Sequence, residues 1–366
     1  MSVFLRRLRC PECFAPLATE LIGKFTTCDK CNTSFPVIAN SIPILIRGAV
    51  DYLEGWSGYY KTAIADHYKL IDRLGRDNSL SDLRSDIYFK LINAFRLNLS
   101  IFEDLEHGVN ELLLQQTYMD FKKKYIVQDT NYPASFEYLK RDWGWLDEGE
   151  NEISIITNAI KSSLFKNEKG NSFGNGLVLG AGLGRLGVEL SVLTENMILM
   201  DSSFTMANWW RKVIESDFSF YEIRLRNVLR KSQLVNKRKA STIPIKDIEL
   251  GKIQYLISDA YNIPFQNHSF QAIFSIYFTD VLPLKYLVKE LKRLLSTDGI
   301  FIHFGPFNYH FKEITNMLSV EEVKQYFKLQ GFELLTEDNI IAEHLSAEDG
   351  IKLNVFINQL LVFRLK

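Results

Sequence analysis

The sequence predicts a doubly wound α/β domain, preceded by a helical region and a small metal-stapled ribbon. Three observations carry that prediction. Apolar strand-like runs alternate with helical periodicities through the second half of the chain. A glycine-rich loop joins the first such strand to its helix. Four cysteines, the only ones present, all lie in the first tenth of the chain. The units expected are residues 1–48, 49–135 and 136–366.

Composition sets the outer bounds. Hydrophobic residues make up 46% and charged residues 24% of 366 positions, which excludes a disordered or collagen-like chain. Lys and Arg total 43 against 44 for Asp and Glu, so no global charge draws the protein to nucleic acid or to an anionic membrane. No run approaches the roughly 20 apolar residues that cross a bilayer, so no membrane partner is expected. The start, MSVFLRRLRC, is basic but has no apolar stretch behind it, which points to a cytoplasmic location.

The ribbon comes first in the chain. Cys10-x-x-Cys13 is followed, after fourteen residues, by Cys28-x-x-Cys31. Two residues between cysteines let both sulfurs of a tight knuckle face one ion, and two knuckles make a tetrahedral thiolate site suited to Zn²⁺. Two disulfides are the competing reading, and they need an oxidising compartment. With all four ligand positions filled by sulfur, the zinc is structural. Leu8-Arg9-Cys10-Pro11-Glu12-Cys13, Cys28 and Cys31, Phe35-Pro36-Val37 and Ile42-Pro43-Ile44-Leu45 give residues 5–47 a further meaning. The segment resembles the zinc-ribbon family of the activator subunit of tRNA and protein methyltransferases. That resemblance implies a ribbon that docks on a methyltransferase, here on its own chain, or on a protein partner.

Residues 50–170 show helical periodicity, as in Ile87-Tyr88-Phe89-x-Leu91-Ile92-x-x-Phe95. Their aromatic residues read as core packing. From residue 176 the pattern becomes strand, loop, helix. Gly176-Leu177-Val178-Leu179 opens into Gly180-Ala181-Gly182-Leu183-Gly184-Arg185-Leu186-Gly187. Glycines let the backbone turn sharply and approach a ligand. The next strand, Met197 to Asp201, ends in an acid 21 positions after Gly180, where a carboxylate accepts ribose hydroxyls. Dinucleotide folds use G-x-G-x-x-G, but position 185 is Arg. G-x-G-x-G is the form of class I S-adenosylmethionine (SAM) methyltransferases. SAM is therefore the expected cofactor, with Gly180, Gly182, Gly184, Arg185, Asp201 and Asp259 as candidate contacts. Asp259 ends a third strand, Ile253 to Asp259. A fourth strand covers Phe270 to Tyr277, an amphipathic helix Leu284 to Leu295, and a fifth strand Ile300 to Phe304. Ser319-Val320-Glu321-Glu322 is a capping box for a helix that Gly331 closes. Apolar segments around Leu334 and Leu360 complete the sheet. Gly180, Asp201, Asp259 and Asp280 all fall at carboxyl ends of strands, where such sheets bind ligands.

Arg141-Asp142-Trp143, the glycine loop, Ser203-Phe204, Phe278-Thr279-Asp280 and Gly305-Pro306-Phe307-Asn308-Tyr309-His310-Phe311 carry a second likeness. Residues 136–366 resemble the carnosine N-methyltransferase family. The resemblance implies SAM-dependent methylation of an imidazole-type nitrogen of a small molecule or peptide. By it, Asp280 orients or deprotonates the acceptor ring, Tyr309 and His310 line its pocket, and Arg141 with Trp143 closes over SAM. Where that family carries tyrosines near its C-terminus, this chain has Val355-Phe356-Ile357-Asn358. For Asp280 the alternative is a cap on the helix near Pro283. His303 reads as strand packing. Two other functions stay open. Arg224, Arg226, Arg230, Lys231, Lys237, Arg238 and Lys239, with no acid between them, suit a protein or RNA methyltransferase, although a solvated helical face is favoured over nucleic acid. A non-catalytic SAM-fold scaffold that docks a partner through the ribbon is the third.

Overall fold

The computed structural model describes residues 7–17, 24–76, 81–115, 132–167, 172–242, 249–347 and 349–366. The N-terminal ribbon contributes β1 (Phe25–Thr27), β2 (Ser34–Ile38) and β3 (Ile42–Leu45). Among the described residues four helices follow: α1 (Ala49–Arg76), α2 (Ser81–Leu114), α3 (Tyr132–Trp143) and α4 (Asp147–Asn167). The α/β part then runs β4 (Phe173–Leu179), α5 (Arg185–Leu190), β5 (Thr194–Asp201), α6 (Phe204–Glu215), β6 (Phe218–Ile223), β7 (Val235–Ala240), β8 (Ile253–Ser258), β9 (Phe270–Ile276), α7 (Leu284–Leu294), β10 (Leu295–Gly305), α8 (Val320–Leu329), β11 (Phe332–Glu343) and β12 (Val355–Leu365).

Among the described residues one ten-stranded sheet runs β1-β2-β3-β8-β5-β4-β9-β10-β12-β11. Strands β3, β8, β5, β4, β9 and β10 run parallel to one another. Strand β12 enters antiparallel between β10 and β11. Leu177 pairs with both Ile198 and Ile273, so β4 lies in the middle, and β4, β5, β8, β9 and β10 read as near-continuous apolar runs because helices cover both faces. The chain winds outward through β5 and β8, then restarts on the other side of β4 with β9. That reversal opens a crevice at the carboxyl ends of β4 and β9, beside the glycine loop. The sheet is the doubly wound one expected from the sequence.

Helix α7 buries Leu284, Leu287, Val288, Leu291 and Leu294 on one stripe. Ser319 caps α8 through a complete box with Glu322, and Gly331 follows at φ 89, as the pattern predicts. Trp56 and Tyr60 of α1 pack on Phe204 of α6, Tyr52 packs on Trp56, and the Tyr60 hydroxyl meets Thr205 Oγ1 at 2.7 Å.

The ribbon continues the sheet. Ile44 and Leu45 of β3 pair with Ile257 and Ser258 of β8, and Ser258 Oγ donates to Leu45 O at 2.9 Å. Beyond the strand, Arg9 N donates to Pro264 O at 3.0 Å and Gln266 N to Arg7 O at 2.8 Å. The exposed edge that β8 would otherwise present is thus covered. One hydrophobic core joins Leu8, Cys10 and Ile44 to Phe301 and Phe363.

The basic segment differs from expectation. Residues 224–239 form no helical face; they belong to the β6–β7 hairpin, with Phe220 opposite Arg238. Alternate residues of β6 turn inward, burying Phe220 and Glu222, and this pairing overrides the helical reading of a charged run. Ile44 is fully buried where ribbon and sheet meet. Ile44→Ala should cost about 2–5 kcal/mol in denaturant unfolding.

Candidate active site

The glycine loop turns through three left-handed residues. Gly180, Gly182 and Gly184 have φ 61, 54 and 78. A Cβ on Gly180 would lie 2.3 Å from the Phe278 ring, and one on Gly184 2.7 Å from Trp210. A Cβ on Gly182 would meet nothing within 4 Å, so its backbone faces open space. That is the fit a closely approaching nucleoside ligand needs.

Asp201 ties this loop to the next strand. Its Oδ2 accepts from Gly182 N and its Oδ1 from Ser203 N, both at 2.8 Å. Burial holds the carboxyl above the usual range, against the pull of those amides. Each oxygen keeps a lone pair for a further donor, such as a ribose hydroxyl. Tyr255 of β8 donates its hydroxyl to Gly182 O at 2.7 Å, and Tyr52 of α1 donates to Ser202 O at 2.9 Å. Asp259 stands exposed just past β8, with Oδ1 accepting from Tyr261 N at 2.8 Å.

Asp280 follows β9 across the crevice. It is only 3% exposed, and its Oδ2 accepts from Asn308 N at 2.9 Å. Its carbonyl accepts from His310 N at 3.0 Å. Burial pushes its carboxyl upward, opposed by the Asn308 amide. Helix α7 begins after Pro283 with no side-chain cap, so Asp280 braces the 305–310 loop and does not cap that helix. Tyr309 donates to Leu318 O at 2.7 Å, and His310 is exposed. His303 is buried, as expected of strand packing. Its Nδ1 meets Thr279 Oγ1 at 2.8 Å and its Nε2 meets Gly305 O at 3.2 Å. Phe307 stacks on it at 4.5 Å. Burial drives its pKa down to about 3, so the ring is neutral.

Two expected cofactor contacts stand behind the loop. Arg185 is buried, with two hydrogen bonds to Glu150 at 3.0 and 2.9 Å, one to Glu189 at 3.0 Å and one to Asp142 O at 2.9 Å. Its guanidinium lies 4.1 Å from the Trp145 ring centroid. Trp143 is fully buried and donates Nε1 to Leu183 O at 2.9 Å. Both residues meet the loop from its protein side, the guanidinium held by carboxylates on α4 and α5. Arg141 is buried too, paired with Asp142 at 2.6 Å and with Glu152 at 3.3 Å. Tyr255, Glu152, Tyr277 and His344 escaped the sequence reading, since each acquires its partners across the fold without a local motif. The four cysteine sulfurs all lie within 4.8 Å of one another, with Cys10–Cys31 and Cys13–Cys28 at 3.6 Å. Zn–S bonds of about 2.3 Å set sulfur–sulfur distances of about 3.8 Å, close to those of these two pairs, and the four thiols are free of disulfides.

A family model described as carnosine N-methyltransferase matches residues 122–364. The match begins after the ribbon. The rat carnosine N-methyltransferase is 27% identical over 328 residues, covering 80% of this chain and 79% of the rat protein. The carnosine N-methyltransferase unmet of Drosophila melanogaster is 22% identical over 201 residues, 51% of this chain, and the chain spans only 44% of that protein's length. Among solved structures, a magnesium protoporphyrin IX methyltransferase from Synechocystis, with bound SAH, aligns at TM-score 0.40 and 8% identity, covering 64% of this chain and 93% of that one.

His303 generates a pH prediction. Its folded pKa near 3 lies below the ordinary 6.5, so the unfolded chain binds the extra proton between those values. Stability should be unaffected by this group above pH 6.5 and fall as pH drops from there toward 3. His303→Gln should flatten that fall, measured as the difference in Tm between pH 7 and about pH 5.

Proposed function

The chain belongs to the carnosine N-methyltransferase family and is a SAM-dependent methyltransferase; from that premise we propose that it methylates an imidazole-type nitrogen of a small molecule or peptide. The observation that carries the reading is Asp280. Its buried carboxylate stands at the carboxyl end of β9, beside the strand that leads into the glycine loop, with one oxygen spent on Asn308 N. The other oxygen can accept the N–H of an acceptor ring and leave the opposite nitrogen's lone pair facing the donor.

SAM, when bound, supplies an electrophilic methyl group on a sulfonium. Gly180, Gly182 and Gly184 would admit it, and Asp201 and Asp259 would hold its sugar and base. Arg141 and Trp143 act through α3, and Arg185 through α5, by keeping the loop in place. Tyr309 would wall the acceptor pocket, with His310 at its mouth. Holding the acceptor in line contributes about 7–11 kcal/mol, and a positioned base about 10²–10⁴-fold.

The ion pairing of four of the seven basic residues in the segment supports a small acceptor over RNA. Arg224 pairs with Asp349 at 2.7 Å, Lys231 with Asp86 at 3.6 Å, Arg238 with Glu222 at 2.7 Å and Lys239 with Asp217 at 2.5 Å. Charges already neutralised by carboxylates are poor trackers of phosphate. A scaffold without activity would ignore SAM in a calorimetric titration.

Asp280→Asn keeps an acceptor for Asn308 N but removes the negative charge. It should bind SAM as the parent does and lose about 10²-fold or more in turnover of carnosine; full activity would remove the role. The cysteine cluster would hold one structural Zn²⁺. Elemental analysis should find one zinc per chain, and Cys28→Ser should lose it and lower Tm.

A further inference from the structure

The first cysteine knuckle reaches the cofactor side of the cleft by two routes. One runs through Asn262, whose side chain bridges the two residues that flank Cys10. Its Nδ2 donates to Pro11 O at 3.1 Å, and its Oδ1 accepts from Arg9 at 3.0 Å. Arg9 N also donates to Pro264 O at 3.0 Å. The backbone N of Asn262 closes a turn onto Asp259 O at 3.1 Å. Asp259 heads that turn, with its Oδ1 held by Tyr261 N. A shift of the residues beside Cys10 would therefore pass to the turn that carries Asp259.

The other route runs through α1. Glu12, inside the knuckle, accepts at Oε1 from Gly48 N at 2.8 Å. Gly48 stands just before α1 at φ 63, and its carbonyl accepts from Tyr52 N at 3.0 Å. Glu12 thus holds the entry to the helix. Tyr52 is fully buried and donates its hydroxyl to Ser202 O at 2.9 Å. Ser203 N donates to Asp201 Oδ1 at 2.8 Å. Ser202 O and Ser203 N belong to one peptide unit, so Tyr52 and Asp201 grip its two ends. A carbonyl that accepts a hydrogen bond polarises the N–H of its own peptide, and the two bonds reinforce each other.

The two routes leave one knuckle and end on the two carboxylates proposed to hold the sugar and base of SAM. The sulfurs of Cys10 and Cys13 converge with those of Cys28 and Cys31, so an ion held there restrains the backbone from which both routes start. A ligand that needs both carboxylates in place binds more tightly when they are already held.

We propose that Asn262 and Tyr52 are positioning residues for the cofactor, through which Zn²⁺ in the cysteine cluster and SAM in the cleft strengthen each other's binding. The inference rests on the proposed roles of Asp201, Asp259 and the four cysteines, and adds what joins them. Linkage makes the effect reciprocal: the factor by which zinc tightens SAM is the factor by which SAM tightens zinc.

The test uses the full chain and SAH, and it needs no turnover. SAH is titrated calorimetrically into the zinc-loaded protein and into the same protein stripped of metal by a chelator. Loss of zinc should weaken SAH about tenfold. With zinc in place, Asn262→Ala and Tyr52→Phe should each weaken SAH about threefold or more. In the double variant, stripping zinc should change SAH affinity less than about twofold. That result separates positioning from a merely structural role, since a general loss of stability leaves the zinc dependence intact. In the reverse direction, zinc is competed away with a chromophoric chelator. Saturating SAH should raise the zinc affinity of the parent about tenfold, and that of the double variant less than about twofold. If the stripped chain fails to fold, this competition carries the test alone. SAH affinity that ignores zinc, or a zinc dependence equally large in parent and double variant, overturns the coupling and leaves the cofactor site standing. A folded, zinc-loaded parent that ignores SAH overturns the cofactor site and the coupling with it. A parent that takes up no zinc overturns the metal site and the coupling, whatever its affinity for SAH.

Discussion

The bond from Gly182 N to Asp201 Oδ2 is the constraint on which the cofactor side of the site depends. Without it, three left-handed glycines in succession would have no reason to hold one conformation. The carboxylate reaches the loop because parallel pairing puts the ends of β4 and β5 at one level, with Leu179 beside Met200. Ala181 N donating to Met200 O at 2.9 Å adds a second tie. Tyr255 from β8 then fixes the Gly182 carbonyl. Three adjacent strands thus converge on one peptide unit, and the open space beside Gly182 follows from that convergence.

Behind the loop, charge is buried in pairs. Arg185, Arg141 and Lys140 face Glu150, Glu152, Glu148 and Glu222. Such pairs add little net stability, because desolvation offsets attraction, but removing one partner leaves an uncompensated charge. Their consequence here is registry. Helices α3 and α4 dock on α5 and on the β6–β7 hairpin with each of these carboxylates paired. Trp143 and Leu183 are placed by the same fit.

The ribbon is part of this machinery through backbone bonds. It flanks β8 on the strand side at Ile257 and Ser258 and on the loop side at Asn262, whose Nδ2 donates to Pro11 O at 3.1 Å and whose Oδ1 accepts from Arg9 at 3.0 Å. Asp259 sits between these two anchor points. The four-cysteine cluster therefore bears on the geometry of the cleft, because the knuckles that carry it hold Arg9 and Pro11.

The sequence by itself determined the sheet, the glycine loop, the acids at strand ends and the thiolate set. Each of these is written in short-range pattern: period-2 or apolar runs, glycines where φ must be positive, acids one strand away, cysteines two apart. Tertiary structure alone decided which charged and aromatic residues face the cleft. Arg185 belongs to the glycine motif by position, yet Glu150 and Glu189 turn it away. Glu152 and His344 stand 192 residues apart, and only the return of β11 beside β12 brings the loop after it to α4. The charged run 224–239 resembles a helix in composition, yet its last residues pair with β6 as β7 and the rest connects the two strands. Contacts of that range depend on packing and pairing between distant elements, and no local spacing encodes them.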